Sequence, residues 1–441
     1  MAEKKPKLTN QEKLTKRKYK KTWLPFYLVY YVANKLIIQR NMHVTKLPGD
    51  KLPKKGPAII IYNHLSRVDH SLFMDAAWPR RINILAGYNE FFRSHLRWAF
   101  KHNNVIPKKV YSQDIISIKA MKQILKDKKG VIAFSPEGTS SIHGNGQPAV
   151  PGTGHLLKHY GVPVYFLNIA GSYLYQNKVD NGFREGKIET KLELMFTEEQ
   201  LKELSVSEID DRVNEKLRHD DYEWQKEKHI EWKPAKGVSM TNNLSDILYR
   251  CPKCGSLFTM VDHDDLIECT NCGNGAKMNH FYEFEPFEGA KIFDTPSKWV
   301  DWERMEVIKE IRKNKDFSFS FDAELGMIPE YEWLKDYKTS YPVGHCKVTL
   351  DHNGIHFDGD KNGEAWKCDL NYKEVYTLAI NTDLKQFDIY IDGVPHEFTP
   401  KDSRIVDYCI HLVQEMNRLH FNTFKNFKWN EYMYENVEEN N

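Results

Sequence analysis

A histidine and an aspartate five residues apart are the first pair in the chain whose types suit catalysis. His64 and Asp69 lie in the sequence NHLSRVD (63–69), directly after the apolar run PAIIIY (57–62). Positions five apart on a straight helix point about 140° away from each other, so these side chains can meet only across a turn. Ser66 as an N-cap, with Asp69 three residues later as in a capping box, predicts that turn. A carboxylate beside one imidazole nitrogen leaves the other as a base; alternatively, Ser66 and Asp69 only cap a helix.

A second short sequence, SPEGTSS (135–141), also follows an apolar run, GVIAF (130–134). Glycine and small hydroxyl residues allow main-chain N–H groups to approach an anion or an oxyanion closely, here in the turn formed by Glu137, Gly138 and Thr139. The alternative is an ordinary turn between a strand and a helix. A third run, GVPVYFL (161–167), places Pro163 in a loop that enters another strand.

Four of the seven cysteines form two closely spaced pairs, Cys251 with Cys254 and Cys269 with Cys272. The spacing is C-x2-C-x14-C-x2-C, and four thiolates can close a tetrahedral Zn²⁺ site. Two disulfides or a redox-active pair are the alternatives, but a stretch this short needs a metal to stabilise it. We therefore predict a zinc ribbon whose zinc is structural. Acidic residues inside the loop disfavour nucleic-acid binding.

The elements that position the first three motifs follow an alternation of strands and helices in residues 46–235. Short apolar runs at 57–62, 130–134 and 163–169 are typical of buried parallel strands, and helical patterns lie between them at 115–126 and 153–160. The expected fold class is α/β, with a mostly parallel sheet flanked by helices. Residues that follow the strands of such a sheet meet at its carboxyl edge, where ligands bind.

The rest of the chain predicts smaller units. A linker at 232–244 leads into the zinc ribbon at 245–285, and Thr295-Pro296 starts a linking helix at 295–315. Residues 320–425 are expected to be β-rich and closed by a helix at 402–419. The expected strands lie at 346–350, 355–358, 365–370, 374–380 and 387–391. Hairpins closed by one helix resemble pleckstrin-homology-like folds, and this region or the ribbon is a candidate for binding a protein partner.

Composition argues against two classes of protein. With 63 basic and 61 acidic residues the net charge is only +2, which disfavours a globally basic nucleic-acid-binding protein. A mean hydropathy of −0.63 disfavours a polytopic membrane protein.

The N-terminal region is the exception to this even composition. Residues 1–21 carry nine basic and two acidic residues, and an apolar, aromatic stretch follows at 23–38. That stretch is shorter than the ~20 apolar residues of a spanning helix. Residues 1–45 therefore predict a basic tail and an interfacial membrane helix, attached peripherally or monotopically to the cytoplasmic face of a membrane. The alternative is a buried helix with a solvated tail.

Taken in order, these motifs resemble the glycerolipid acyltransferase family, whose members make phosphatidic acid from lysophosphatidic acid. NHLSRVD matches the family's His-x4-Asp block, residues 136–139 match its Pro-Glu-Gly-Thr block, and residues 162–164 match its late Val-Pro-Val block. The resemblance covers about residues 20–225. It implies transfer of a fatty acyl group from acyl-CoA or acyl-carrier protein to a lysophospholipid hydroxyl at a membrane surface.

The resemblance also implies roles for single residues. His64 would be the general base and Asp69 the group that orients it, with no need for a nucleophilic serine or cysteine. The implied substrate-binding residues are Glu137, Gly138 and Thr139 at the acceptor and Pro163 at the acyl donor.

Two positions depart from the family pattern. Ser140 stands where the Pro-Glu-Gly-Thr block usually continues with arginine, and the middle block has Lys108 and Lys109 where an arginine is expected. A guanidinium binds phosphate in a bidentate way, whereas an ammonium acts as a point charge. Arg67, Lys108 or Lys109 is the expected substitute; alternatively, the acceptor is a glycolipid or another hydroxylated lipid.

A second function class stays open beside the enzyme. A catalytically silent membrane adaptor would use the same fold to bind lipid and the ribbon or C-terminal region to dock a partner. The intact pair of His64 and Asp69 favours the enzyme, because a silent module has no need of it.

Overall fold

The computed structural model describes residues 7–112, 114–380 and 383–423. A seven-stranded central sheet carries the N-terminal half. Its strands in chain order are β1 (Thr45–Lys46), β2 (Ala58–Tyr62), β3 (Ile82–Gly87), β4 (Ile106–Lys108), β5 (Val131–Phe134), β6 (Val164–Ala170) and, after a short β7 (Arg184–Glu185), β8 (Glu189–Phe196). The spatial order is β1-β8-β6-β2-β5-β3-β4, and every neighbouring pair is parallel except β6 with β8. The mostly parallel sheet of the predicted α/β class is confirmed.

The helices of this half lie on both faces of the central sheet. They are α1 (Asn10–Thr15), α2 (Leu24–Ala33), α3 (Asp69–Ala77), α4 (Ser94–His102), α5 (Ile115–Lys122), α6 (Thr153–Tyr160), α7 (Ser172–Tyr175), α8 (Glu198–Glu203), α9 (Val206–Leu217) and α10 (Asp221–Lys228). One turn of π-helix extends α2 (Asn34–Ile38) and another extends α5 (Gln123–Asp127), and a 3₁₀ turn (Tyr88–Phe92) follows β3.

Strand β2 shows why the apolar runs in the sequence do not alternate with polar residues. Ile60 and Tyr62 belong to the core that includes α3, whereas Ile59 and Ile61 belong to the core formed with α5, α6 and α9. Successive side chains of a strand point to opposite faces, so a strand covered on both faces is apolar at every position. All five residues of β2 are buried as a result.

The C-terminal half contains two antiparallel sheets. The small one comprises β10 (Met260–His263), β11 (Leu266–Cys269), β12 (Gly275–Met278) and β13 (Phe284–Pro286), in that order. The larger one has the order β17-β16-β15-β14-β20-β19-β18 and comprises β14 (Ser318–Met327), β15 (Tyr341–Asp351), β16 (Ile355–Lys361), β17 (Glu364–Leu370), β18 (Ala379–Ile380), β19 (Phe387–Ile391) and β20 (Val394–Pro400). The helix α11 (Pro296–Lys313) links the two sheets, and α12 (Arg404–His420) follows the last strand. A β-rich C-terminal region closed by a helix is confirmed. The strand expected at 374–380 is confined to Ala379–Ile380, because a turn occupies residues 372–374 and a bend follows at 376–377.

The expected linker at 232–244 is packed rather than loose. Trp232 is fully buried, and its indole N–H donates to Gln225 Oε1 at 2.8 Å. The short strand β9 (Lys233–Pro234) pairs with β7, and a 3₁₀ turn (Leu244–Asp246) follows. One core cluster accordingly continues from the central sheet through the small antiparallel sheet to α12.

The described part of the basic N-terminal segment, from residue 7 onward, also lies against the body of the protein. Asn10 donates from its main chain to Glu330 O at 2.8 Å, and Arg17 donates to Lys101 O at 3.0 Å. Thr22 is buried and donates to Ile82 O at 2.7 Å. Carbonyl oxygens of the body thus bind the described part of the predicted basic tail, which is packed rather than free.

Candidate active site

The structure brings His64 and Asp69 together across a tight turn. His64 lies in the loop behind β2, and Asp69 is the first residue of α3. His64 Nδ1 lies 2.8 Å from Asp69 Oδ2. Both residues therefore lie at the carboxyl edge of the central sheet, as their position in the sequence predicts.

The carboxylate of Asp69 fixes the orientation of the imidazole. Its Oδ2 also accepts the main-chain N–H groups of Leu65 at 2.8 Å and Ser66 at 2.9 Å. Because an ionised carboxylate can only accept, Nδ1 of His64 carries the proton and donates it. Nε2 of His64 has no hydrogen-bond partner among the described residues, and 25% of the side chain is exposed. This nitrogen is thus available to accept a proton from a bound substrate.

Ser66 does not cap α3 as the sequence suggested. The helix begins at Asp69, and Val68 occupies the N-cap position without a side-chain hydrogen bond. The hydroxyl of Ser66 donates instead to Gln176 O at 2.6 Å. Only half of the predicted capping box forms, since Asp69 accepts the Ser66 N–H but Ser66 Oγ does not accept in return. The prediction of a Ser66 N-cap is wrong because the hydroxyl is committed to the neighbouring segment.

Glu137 supports the loop that carries His64. It is buried, and its carboxyl oxygens accept the main-chain N–H of His64 at 2.6 Å and of Gln147 at 2.8 Å. Ser135 Oγ lies 3.2 Å from the same oxygen that binds His64. Burial raises the pKa of Glu137 to about 8, against the opposing effect of these hydrogen bonds. Each of these bonds is to a neighbouring loop residue, which identifies Glu137 as a positioning residue; its contact with an acceptor stays a prediction.

The turn after Glu137 presents main-chain donors. Gly138 has φ = +83°, a left-handed conformation that favours glycine. A Cβ added there would come within 3.0 Å of the Tyr111 ring and of Val150. The N–H groups of Gly138 and Thr139 have no hydrogen-bond partner within the described ranges. Such groups are available to a developing negative charge.

Two further residues that the sequence reasoning missed hold the site together. Asn63 is buried, and its side-chain amide both donates to Ile169 O at 2.7 Å and accepts Ile169 N–H at 2.8 Å. Ser141 donates its main-chain N–H to His64 O at 2.6 Å. A polar amide directly after a buried strand was a usable signal for Asn63, whereas a main-chain contact such as that of Ser141 has no sequence signal.

The two lysines expected to replace the family arginine are engaged elsewhere. Lys108 lies at the carboxyl end of β4, but its ammonium donates to Lys109 O at 2.6 Å. The ammonium of Lys109 donates to Gly393 O at 2.6 Å, in the C-terminal sheet. The structure therefore does not support either lysine as a head-group ligand.

Three other cations, Arg67, Lys178 and Arg93, lie near one another. The guanidinium of Arg67 donates to Asn181 Oδ1 at 2.5 Å and to Lys178 O at 3.1 Å. Burial and the nearby charge of Arg67 lower the pKa of Lys178 to about 8, and its ammonium has no hydrogen-bond or ion-pair partner in the described parts of the chain. Arg93 is buried and pairs with Glu90 at 3.1 Å, yet its Nε and Nη2 atoms have no partner. The three cations repel one another and can bind an anion, although the carboxylates of Asp383, Asp180 and Glu90 offset part of their charge.

Pro163 lies far from this group. The register of β2 with β6 pairs Ile59 with Val164, so Pro163 lies beside the first residue of β2, at the amino edge of the sheet. The length of β2 separates it from His64 by roughly 15–20 Å. The structure does not bring Pro163 to the predicted site.

The four cysteines of the two pairs meet in one cluster. Their Sγ atoms lie within 4.8 Å of one another, with 3.7 Å between Cys251 and Cys272 and 3.8 Å between Cys254 and Cys269. A Zn–S distance of about 2.3 Å gives a tetrahedral edge of about 3.8 Å, whereas a disulfide needs about 2.05 Å. Equivalent turns hold both pairs, because Gly255 and Gly273 donate to the carbonyl oxygens of Cys251 and Cys269 at 2.9 Å. The cluster can therefore hold a metal ion with four thiolates.

An exposed apolar face lies beside the site. It comprises seven residues with 41–73% of their surface exposed: Trp23, Leu24, Leu28, Val29, Val32, Leu36 and Ile37. The face belongs to α2 and its π-helical extension, and the ring of Tyr30 stacks on that of His70, next to Asp69, at 6.5 Å. Within the described ranges, no helix combines the length and the apolar character that crossing a membrane requires.

Comparison with known proteins gives one family match. Residues 44–169 match the family model described as Acyltransferase. No curated protein matches the chain. Among solved structures, the chain is similar to the crystal structure of PlsC, the 1-acyl-sn-glycerophosphate (LPA) acyltransferase from Thermotoga maritima, with 18% sequence identity and a TM-score of 0.35. The match covers 46% of this chain and 88% of that chain.

Proposed function

We propose that the protein moves a fatty acyl group from a thioester donor to the hydroxyl of a lysophospholipid, a proposal that the match of residues 44–169 to the Acyltransferase family model supports. The observation that carries the proposal is the pair of His64 and Asp69, whose 2.8 Å contact leaves one imidazole nitrogen without a protein partner. The donor is acyl-CoA or acyl-carrier protein, as the sequence resemblance implies.

Each step of the reaction has a candidate group in the site. The acceptor hydroxyl attacks the thioester carbonyl carbon while Nε2 of His64 takes its proton. Asp69 stabilises the imidazolium that forms. The N–H groups of Gly138 and Thr139 are the candidate donors to the oxyanion of the tetrahedral intermediate. Collapse of the intermediate breaks the C–S bond, and the imidazolium returns its proton to the leaving thiolate.

An acidic head group fits the three cations near the pair of His64 and Asp69, which we call the dyad. Arg67 is three residues from His64, and the unpartnered ammonium of Lys178 lies close enough to Arg67 for their charges to interact. A phosphate would relieve the mutual repulsion of Arg67, Arg93 and Lys178. We assign these residues to the phosphate of 1-acyl-glycerol-3-phosphate or a related lysophospholipid, in place of the arginine that Ser140 replaces.

The exposed apolar face supports attachment to a membrane surface. Aliphatic and Trp side chains on one side of an interfacial helix insert into the boundary between head groups and acyl chains. The face lies beside the dyad, so a lipid acceptor could reach His64 without leaving the bilayer surface. We therefore retain the cytoplasmic face of a membrane as the proposed location.

A zinc ion fits the four thiolates and would stabilise the ribbon. Cys251, Cys254, Cys269 and Cys272 would fill all four positions of a tetrahedral ion. A closed site leaves no position for a substrate, so the metal contributes folding stability and takes no part in acyl transfer.

The proposed activity is tested with purified protein, labelled acyl-CoA and lysophosphatidate. We expect labelled phosphatidate from the wild type and a loss of roughly 10²- to 10⁴-fold for His64→Ala, with unchanged circular dichroism. Equal turnover by a folded His64→Ala protein would refute the base assignment. No transfer by the wild type to any lysolipid, from either donor, would favour the membrane adaptor.

A further inference from the structure

Three residues from distant parts of the chain form a second group of potential metal ligands, which we call the His–Asp cluster. His143 lies in the loop after Glu137, whereas Asp407 and His411 lie one turn apart on α12. One ligand atom from each of the three lies within 4.8 Å of the other two. Asp407 and His411 are completely buried and His143 is almost so.

The donor atoms lie close to the spacing that metal ligands require. His143 Nε2 lies 2.9 Å and 3.0 Å from the two carboxylate oxygens of Asp407. The rings of His143 and His411 have their centroids 5.4 Å apart. Zn–N and Zn–O distances of about 2.0–2.2 Å place neighbouring ligand atoms about 3.3–3.5 Å apart. An ion would therefore need to widen the His143–Asp407 separation by only about 0.4 Å.

A buried nitrogen without a partner points to a ligand. Nε2 of His411 is shielded from solvent and has no hydrogen-bond partner. Its other nitrogen, Nδ1, lies 2.8 Å from the hydroxyl of Tyr249. If Nδ1 donates to Tyr249, Nε2 keeps a lone pair, and outer hydrogen bonds of this kind orient metal-bound histidines. Buried polar atoms in native proteins are rarely left unsatisfied, so Nε2 needs an explanation.

The charge around the cluster favours a cation. Glu303 is fully buried, its Oε1 accepts the main-chain N–H of Arg250 at 2.6 Å, and its Oε2 has no partner. Burial, together with the nearby charge of Asp407, raises the pKa of Glu303 and favours its neutral form, so Asp407 carries the negative charge that a cation would neutralise. The nearby cation Arg304 opposes a metal, but it is paired with Glu415 at 2.8 Å.

We propose that His143, Asp407 and His411 bind a divalent cation such as Zn²⁺, at a site separate from the four-cysteine cluster. Two imidazoles and one carboxylate suit zinc, and a water or a second carboxylate oxygen can complete four-coordination. The ion would supply the partner that His411 Nε2 lacks. It would also offset the buried negative charge of Asp407.

This site would join the loop that supports the dyad to the end of the chain. Ser141, two residues before His143, donates its N–H to the carbonyl oxygen of His64. Asp407 and His411 belong to α12, which packs in the core shared by the central sheet and the ribbon. The metal is thus structural, with its effect on catalysis transmitted through the position of the 141–147 loop.

Metal analysis of the intact, natively purified protein tests the proposal. Elemental analysis should find about two zinc ions per chain. A mercurial thiol reagent should release one of them, from the cysteines, and leave the other bound. Co²⁺ substitution should show thiolate-to-metal charge transfer that disappears when the mercurial blocks the thiols, while the weaker d–d bands of a nitrogen and oxygen site persist.

Variants separate the two sites. His411→Gln and Asp407→Asn should each lower the metal content from about two to about one, and the remaining ion should be fully released by the mercurial. His420→Gln, an exposed histidine on the same helix, is the matched control and should keep both ions. One ion per wild-type chain, all of it mercurial-released, overturns the proposal, and this result does not depend on any variant folding. Zinc that persists in Cys254→Ser and resists the mercurial supports the His–Asp cluster even if the ribbon holds no metal.

Discussion

Replacing Asp69 by asparagine isolates the charge of the dyad from its geometry. Asparagine has the same shape, and its Oδ1 can accept the same three N–H groups that Asp69 Oδ2 accepts, from His64, Leu65 and Ser66. Its NH₂ group would then replace Asp69 Oδ1, a buried atom with no partner. The fold is therefore expected to survive, while the imidazolium formed during transfer loses its counter-charge.

The size of the effect follows from the 2.8 Å separation between His64 Nδ1 and Asp69 Oδ2. Two unit charges at this distance attract by about 6 kcal/mol at an effective dielectric constant of ~20 and by about 3 kcal/mol at ~40. The range includes the higher dielectric constant because 25% of the His64 side chain is exposed, so solvent screens part of the attraction. With tenfold in rate for each ~1.4 kcal/mol, kcat for Asp69→Asn should fall roughly 10²- to 10⁴-fold.

The assay compares Asp69→Asn with Asp75→Asn at saturating acyl-CoA, using a lysolipid below its critical micelle concentration. Asp75 is also buried on α3, but it bonds Tyr31, Lys35 and Lys46 and has no contact with His64. Asp75→Asn should lower the melting temperature and leave kcat within about threefold. Equal kcat losses in the two variants, or a threefold loss or less in Asp69→Asn, would refute the electrostatic role of Asp69.

Three other variants test the supporting parts of the site. Glu137→Gln should cost about 1–3 kcal/mol of unfolding free energy, because an amide cannot accept the N–H groups of both His64 and Gln147. A carboxyl whose pKa is raised from 4.5 to about 8 stabilises the fold fully below pH 4.5 and loses that contribution as pH rises towards 8. Denaturant titrations of the wild type should therefore show an unfolding free energy that declines over this pH window, and Glu137→Gln should lack this decline. The double variant Leu28→Ser with Ile37→Ser should weaken binding to anionic vesicles, measured by co-sedimentation, roughly 30- to 150-fold, because about 2–3 kcal/mol of apolar burial in the membrane is lost. Leu194 is equally exposed but lies outside the apolar face, so Leu194→Ser should leave vesicle binding unchanged. Lys178→Met should raise KM for lysophosphatidate roughly tenfold or more and leave KM for monoacylglycerol unchanged, and equal effects on the two acceptors would remove Lys178 from the phosphate site.

The central sheet and its dyad were the most predictable parts of the molecule. The uninterrupted apolar run before His64 is the signature of a strand buried on both faces, and the structure forms β2 there. The contact of His64 with Asp69 depends on residues only five apart, so local turn geometry determines it. The resemblance to acyltransferases is likewise confirmed by the family match at residues 44–169.

Pro163 was assigned to the acyl-donor site from the family resemblance, and the direction of the strands explains why the structure places it elsewhere. A motif before a strand and a motif after a strand look equally close to it in sequence, but parallel strands put them at opposite edges of the sheet. His64 follows β2, whereas Pro163 precedes β6.

Contacts across long sequence separations gave no signal in the sequence. His143 and Asp407 are 264 residues apart, and Lys178 is 111 residues from Arg67, to which it is joined. The residue types at these positions are ordinary for loops and for an amphipathic helix. Lys108 is a case in which the sequence suggested a role that the structure does not support. A lysine suits a phosphate ligand, but in the folded loop carbonyl oxygens accept the hydrogen bonds of its ammonium.

The 135–147 loop connects the candidate base to the C-terminal half of the chain. Glu137 accepts the N–H of His64 and Ser141 donates to its carbonyl oxygen, so both main-chain groups of His64 depend on this loop. The same loop ends at His143, which contacts Asp407 on α12. Since α12 packs in one core with the small antiparallel sheet and the central sheet, loss of α12 removes support from the loop. The C-terminal half is thus part of what holds His64 in position, and its contribution to acyl transfer does not require it to touch a substrate.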